Sequence, residues 1–485
     1  MTRDSAAWPP LPPRLKPIVE AEYPRYSAAE MARRRAAVEA ALAAADCDHL
    51  VFYGANRAGS AVQWLTQWPA TVEAIGVFTP RERDALFVQW INHAPLAKRL
   101  AAEAEVAWGG ESSIGAVIAA LEKRGARENR VGVVGAMNFA QHAALAARFG
   151  NIVDLNRAYV RLRRVKSQEE IDWLRIGAWL SDRGMAGLRD GIALGVNERA
   201  LGDLIERAYM REGGTNVIHF IGAMNFAQYA ALAARFGNIA DLNRAYARLR
   251  RVKSQEEIDW LRIGAWLSDR GMAGLRDGLA VGLNERALGD LIERAYMREG
   301  GTNVIHFIGA TSMHDPQLGA PAQFPSTRRV ANGDIVFAEI SAAFWDHSGQ
   351  VLRSFAVGEE PPPLYRALHA AADAAFDAVA AVLKPGATPA QVVEAAGVIE
   401  DAGFTIIDDL LHGYGGGYFP PILGSKSRPA GPIPAEPFEA GMTVVVQPNV
   451  VTRDGTAGVQ TGELLLITNS GVERLHSFPR GFARV

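Results

Sequence analysis

The side chains most able to do chemistry here are a few polar residues set in apolar or glycine-rich surroundings. In GMTVVVQPNVV, Gly441–Val451, the β-branched run Val444–Val446 is followed by Gln447 where another apolar residue would fit, and Pro448 closes the strand. A buried side-chain amide must find hydrogen-bond partners or cost roughly 1–3 kcal/mol, so Gln447 is expected to face something polar. Glu339 stands in the apolar strand IVFAEIS. A lone buried carboxylate is costly unless paired or used, which leaves a salt bridge with Arg353 or another arginine and a catalytic role equally open. His412 precedes a loop with glycines at 413, 415, 416 and 417. Such a loop lets backbone N–H groups approach a ligand closely, and His412 is read as a general acid/base against the alternative of a histidine that holds a turn. His219 and His306, in the repeated NVIHFI, read as core or rim histidines.

The composition narrows the partners. A formal net charge of -2 gives no basic surplus for a phosphate backbone, so nucleic acid is not an expected partner. A single cysteine, Cys47, precludes an internal disulfide and a Cys-based zinc site. No run of about 18 apolar residues is present, so no membrane span is expected. The start, MTRDSAAWPPLPPRLKP, lacks a hydrophobic h-region, which together with the cysteine usage points to the cytoplasm. Its five prolines predict an extended arm, with Trp8 packing on a partner subunit.

The elements that position these residues come in two series. Tyr26–Ala45 reads as an amphipathic helix with Ser27 as N-cap, and HLVFYG, AIGVFT, DALFVQW and RVGVVG as strands of a small α/β domain ending near Arg163. Capping boxes, Ser167–Glu170 and Ser254–Glu257, open two copies of one helix, and NERALGDLIERAYMREGG gives another. Strands NVIHFIGA, DIVFAEISAAF and QVLRSFAVG follow, then helices LYRALHAAADAAFDAVAAVL and TPAQVVEAAGVIEDAG, then strands MTVVVQ and ELLLIT. A helix–helix–strands order occurring twice predicts an α+β fold, an antiparallel sheet covered by helices on one face. Two of these helices lie in an internal repeat that suggests a recent tandem duplication, or an error in the gene or its assembly. Gly135–Ile221 and Gly222–Ile308 are the same 87-residue segment, differing only at His142/Tyr229, Val153/Ala240, Val160/Ala247, Ile192/Leu279, Leu194/Val281 and Val196/Leu283. Removing one copy of 87 from 485 residues leaves 398, a natural size for a two-domain enzyme, so one copy is read as surplus. The expected division is 1–25 arm, 26–163 N-terminal domain, 164–250 surplus segment and 251–485 catalytic domain.

Four segments in series resemble the pita-bread superfamily of aminopeptidase P, prolidase, methionine aminopeptidase and creatinase: DIVFAEISAAFWDHSGQVLRSFAVG, HGYGGGYFPP, GMTVVVQPN and GVQTGELLLIT. The N-terminal part resembles the creatinase-type N-terminal domain. The metallopeptidases of the family bind two divalent metals through two Asp, one His and two Glu. Carried over by position, these fall on Glu339, Gln350, Gly416, Gln447 and Gly462. Amides offer only dipoles where two divalent ions need carboxylates, so no metal and no other cofactor is expected. The resemblance implies substrate-side roles for His314, in GATSMHDPQ, as a second acid/base, and for Gln350, Gln447, Glu463 and Tyr418 in binding. Gln350 and Gln447 hydrogen-bonding each other in vacated space is the alternative. The expected function is a metal-independent hydrolase of a small amide, amidine or Xaa-Pro-like C–N substrate, working as a homodimer, with His412 or His314 as acid/base and Glu339 orienting it. A metal-dependent Xaa-Pro peptidase, a catalytically silent small-molecule binder and a lyase stay open as alternatives.

Overall fold

The computed structural model describes residues 10–485 apart from 56–60, 71, 111 and most of 192–249; Trp8 and His219 lie outside the described residues. The chain divides into two compact units, one built on Tyr23–Gly177 and the other on Asn243–Val485, the latter also taking the N-terminal segment up to Glu22.

The first unit carries β1 (His49–Gly54), β2 (Ala74–Phe78), β3 (Asp84–Val88), β4 (Ala104–Trp108), β5 (Val131–Val134) and β6 (Val153–Asp154) in one mixed sheet of order β4-β3-β2-β1-β5-β6. Val51, Val77, Val133, Leu121 and Leu145 form its core. Helix α1 (Ala28–Ala44) begins as expected, the Ser27 side chain accepting from the Glu30 N–H. The proline segment departs from the extended arm predicted for it. Pro13–Leu15 is a 3-10 turn leading into a short helix, Lys16–Glu20. Leu15 is fully buried, and Arg286 donates to the Val19 carbonyl at 2.8 Å. Proline fixes φ in a range that suits the first turn of a helix as well as an extended chain, and burial of Leu15 decides between them.

Two further helices have identical sequence: α2 (Gln168–Gly191) and α3 (Gln255–Gly278). Both open on the predicted capping boxes, with reciprocal bonds between Ser167 and Glu170 and between Ser254 and Glu257. In the second unit α3 and α4 (Glu285–Tyr296) cover a sheet made from β7 (Thr302–Ser312), β8 (Asp334–Phe344), β9 (His347–Ala356), β10 (Leu411–Tyr414), β11 (Tyr418–Leu423), β12 (Thr443–Val446) and β13 (Gly462–Ile467). The order is β11-β10-β12-β13-β9-β8-β7, every neighbouring pair antiparallel. The α+β expectation holds. Leu267, Met272, Leu288 and Ile292 pack on Val336, Ala338, Ile340 and Val351. Helix α5 (Pro363–Val382) packs with Val444, Val446 and Leu465. One predicted helix is broken: TPAQVVEAAGVIEDAG splits into Pro389–Ala395 and Val398–Asp401 at Gly397, a poor helix former.

Period-two alternation then fixes the faces. Val446, Glu463 and Val351 are mutually paired and share the helix-covered face. Their neighbours, Gln447, Gly462 and Leu352, turn to the other side, together with Glu339, the partner of Leu352, and Gln350, two residues from it.

Candidate active site

Glu339, Gln350, Gln447 and His412 meet on that second face, each 4% exposed or less. The Gln350 Nε2 amide donates one hydrogen to Glu339 Oε1 at 2.9 Å and the other to Gln447 Oε1 at 2.9 Å. The two glutamines therefore do bond each other, as the space-filling alternative held. Glu339 takes its partner from Gln350 and not from an arginine, so the salt-bridge alternative does not hold. Gln447 Nε2 in turn donates to Asp409 Oδ1 at 2.9 Å and, more weakly, to the Asp409 carbonyl at 3.4 Å.

Asp408 and Asp409, which sequence reasoning passed over, complete the cluster. Their signal was available: an acidic pair, in IIDDLLHGYGGG, running into a buried strand without a neighbouring lysine or arginine in sequence. The Asp409 N–H bonds Asp408 Oδ1 at 2.9 Å. Burial pushes the Asp409 carboxyl up to about 6, against the opposing pull of its hydrogen bonds from Asp408, Tyr418 and Gln447. Asp408 is pushed up well above the usual carboxylate range by burial and then by the Asp409 charge. Glu339 is raised likewise by burial first and by Asp408 and Asp409 after it, while the Gln460 amide acts in the opposite sense. Three acids thus hold protons where isolated acids would have lost them.

His412 lies on β10 opposite Val445, which brings its ring to the same face. Its ring stacks on Tyr418 at 4.1 Å, and Nδ1 sits 3.2 Å from the Gly413 carbonyl. A carbonyl only accepts, so Nδ1 carries the proton and Nε2 presents its lone pair. Burial lowers the imidazole to about 4, so the ring is neutral at neutral pH. Gly416, the position to which a family metal histidine was carried, is instead in the β10–β11 turn with φ +65°. The imidazole beside Gln447 belongs to His412. Tyr418 stands next to it, and burial followed by the Asp409 charge raises its hydroxyl.

Two expected site residues lie elsewhere. Glu463 is on the helix-covered face, fully buried between Arg353 Nη2 at 2.6 Å and Arg474 Nη2 at 2.9 Å. Burial raises it, but Arg474 and Arg353 together overcome that and hold it below the usual range. One residue of register separates it from Gly462, and in a strand that is enough to reverse the side chain. His314 is exposed and bonds Glu359 Oε2 at 3.0 Å. Strand β7 runs five residues beyond Phe307, the partner of Glu339, before it ends at Ser312, about 17 Å at the usual strand rise. His314 is therefore not at the cluster. His306 bonds Tyr296 Oη at 3.0 Å, a core histidine as read.

The fit of the family's metal pair can be tested on these atoms. Both hydrogens of the Gln350 amide point into the cluster, where a cation would need lone pairs. A Cβ at Gly462 would lie 2.7 Å from the Val446 carbonyl and 2.9 Å from Gln447 Cα, so the backbone has closed over that ligand position. Among the described residues no three His, Cys, Asp or Glu are arranged to hold a metal ion. The residues present do not fit two divalent metals. Among the described residues, too, no helix is long and apolar enough to cross a membrane.

Residues 259–469 match the metallopeptidase family M24. An uncharacterized peptidase of Staphylococcus aureus is 24% identical over 252 residues, covering 50% of this chain and 67% of that protein. Among solved structures, the dipeptidase PepE from Mycobacterium ulcerans aligns at 18% identity and a TM-score of 0.47 over 95% of this chain and 99% of its own. The prolidase from Pyrococcus furiosus aligns at 13% and 0.45 over 90% and 97%. Over residues 259–469 the chain is therefore similar to metallopeptidase family M24, and its α+β fold is of the pita-bread type.

Proposed function

We propose that the protein is a pita-bread hydrolase that cleaves a small C–N substrate, of amide, amidine or Xaa-Pro type, without the family's two-metal centre. The observation that carries this reading is Gln350, whose amide bridges Glu339 and Gln447 and so fills, with hydrogen-bond donors, positions where metal ligands would stand. The chemistry left to the chain is proton transfer. Neutral His412, with its Nε2 lone pair free of the Gly413 contact, suits a general base. Glu339, held protonated by burial, suits a general acid that protonates a leaving nitrogen, and Asp409 can join it below about pH 6. Pairs of groups driven apart in pKa by one environment are the pattern of acid/base assignment, here a base lowered to about 4 beside an acid raised to about 6.

A second reading, a catalytically silent binder, is favoured by one fact: Glu339, Gln350, Asp408, Asp409, His412 and Gln447 are all buried. Both readings, and the metal-dependent Xaa-Pro peptidase, separate in a single experiment. Purified protein is analysed for divalent metals and screened, with and without a chelator, against amides, amidines and Xaa-Pro peptides. Turnover of any of these that a chelator leaves intact supports the proposal. No turnover favours the silent binder. Two tightly held metals per chain, with activity lost to chelation, return the protein to the metallopeptidases.

A further inference from the structure

The duplicated segment places one sequence in two environments. Helices α2 and α3 share all 24 residues, and the six differences between the copies fall outside both. In α3, Leu261 and Met272 are fully buried; in α2 their counterparts Leu174 and Met185 are 58% and 53% exposed. Ser268 donates to the Gly349 carbonyl at 2.6 Å, and Asp269 receives the Ser477 hydroxyl at 2.9 Å. Gly264 lets α3 lie against the β8–β9 turn, since a Cβ there would meet the His347 carbonyl at 2.3 Å and the Gly349 nitrogen at 2.9 Å. At Gly177 an added Cβ meets nothing within 4 Å. Helix α2 therefore carries every side chain the sheet recognises, in the right order, with Leu174 and Met185 standing exposed.

We propose that α2 is a second occupant of the α3 site, and that the chain exchanges the two helices intramolecularly. The argument is one of connectivity. Corresponding residues of the two copies lie 87 positions apart, so exchanging α3 for α2 in the sheet moves a stretch of chain of one and the same length, 87 residues, from one side of the docked helix to the other. Loop-closure entropy depends on length, so the two arrangements pay the same closure cost. The contacts of docking are the same by identity of sequence. What distinguishes the two states is local. Docking α2 breaks the contacts its first turn now makes, Glu170 with Arg34 at 3.3 Å and with the Trp64 indole at 3.1 Å, and Tyr26 stacked on Trp173 at 4.4 Å. The released copy offers Glu257 and Trp260 as replacements for Glu170 and Trp173. A ligand can shift such an equilibrium only by binding one arrangement better, and none is invoked here.

The test uses the full-length chain and three variants. Gly264→Leu blocks docking of α3, Gly177→Leu blocks only α2, and the double variant blocks both. With exchange, each single variant keeps a cooperative urea transition near the wild-type midpoint, and the double variant loses the transition of the second unit. A Leu174→Cys reporter, in an otherwise reactive position because Cys47 is buried, then goes from readily alkylated in the wild type to protected in the Gly264→Leu background. Gly264→Leu as damaging as the double variant overturns the proposal. So does a light-scattering mass that doubles in Gly264→Leu, because the helix would then come from a second chain.

Discussion

Replacing Asp409 with asparagine should stabilise the protein at alkaline pH and leave it unchanged in acid. The side chain is 7% exposed and its folded-state pKa is about 6, against 3.8 for a free aspartate. A carboxyl whose pKa is raised by folding contributes stability that is fully present below its unfolded value and lost as pH rises through its folded value. The loss therefore runs from about pH 4 to about pH 6 and persists above that. About two units at roughly 1.4 kcal/mol each set a ceiling of about 3 kcal/mol, and sharing of the charge with Asp408 brings the expected gain to about 1–3 kcal/mol. Asparagine keeps an Oδ1 to accept from Gln447 Nε2, so the hydrogen bond survives. His412 titrates with the opposite sign: its lowered pKa gives stability present above about 6.5 and lost as pH falls through about 4. That contribution is common to both proteins and cancels in their difference. Urea unfolding followed by circular dichroism at pH 4 and pH 8 measures the difference directly. A variant less stable than wild type at pH 8, or an equal difference at both pH values, refutes the picture of a carboxyl penalised by its own burial.

Three substitutions and one deletion test the rest of the site. Gln447→Glu removes the donor to Asp409 and adds a fourth acid to the cluster, and should cost about 1–3 kcal/mol at pH 7 without retaining a divalent metal, as read by urea unfolding and metal analysis. Gly462→Glu restores the lost family ligand in name only; with a Cβ 2.7 Å from the Val446 carbonyl it should cost at least about 1–3 kcal/mol, seen as a lowered urea midpoint. Arg353→Met leaves Glu463 buried with Arg474 alone and should cost about 3–5 kcal/mol, whereas a cost below about 1 kcal/mol would show the pair to be dispensable. Deleting residues 135–221 should give a 398-residue chain that keeps a cooperative transition; its collapse would show that the first copy is not surplus.

Much of the fold was legible in the chain because local chemistry and global fold agree there. Ser27, Ser254 and Asn284 start the helices their sequences announce, since a side-chain oxygen can satisfy a free N–H within its own turn. The apolar runs of β8, β9 and β12 could only be strands of a covered sheet, and Gln447 among valines could only face a polar partner. The identity of that partner was not local. Asp409 lies 38 residues from Gln447, and Gln350 lies 97 away, joined to it only through the order of strands. Register decided Glu463, which sequence placed beside the ligands and the sheet turned to the opposite face, where Arg353 waited. Strand length decided His314, carried past the cluster by the end of β7. The two copies of one helix show the same division most plainly. Sequence alone determines that QEEIDWLRIGAWLSDRGMAGLRDG is a helix with an apolar stripe, and it is a helix twice. Which copy buries that stripe is decided by what lies across from it, because side-chain burial is a property of the pair of surfaces and not of either one.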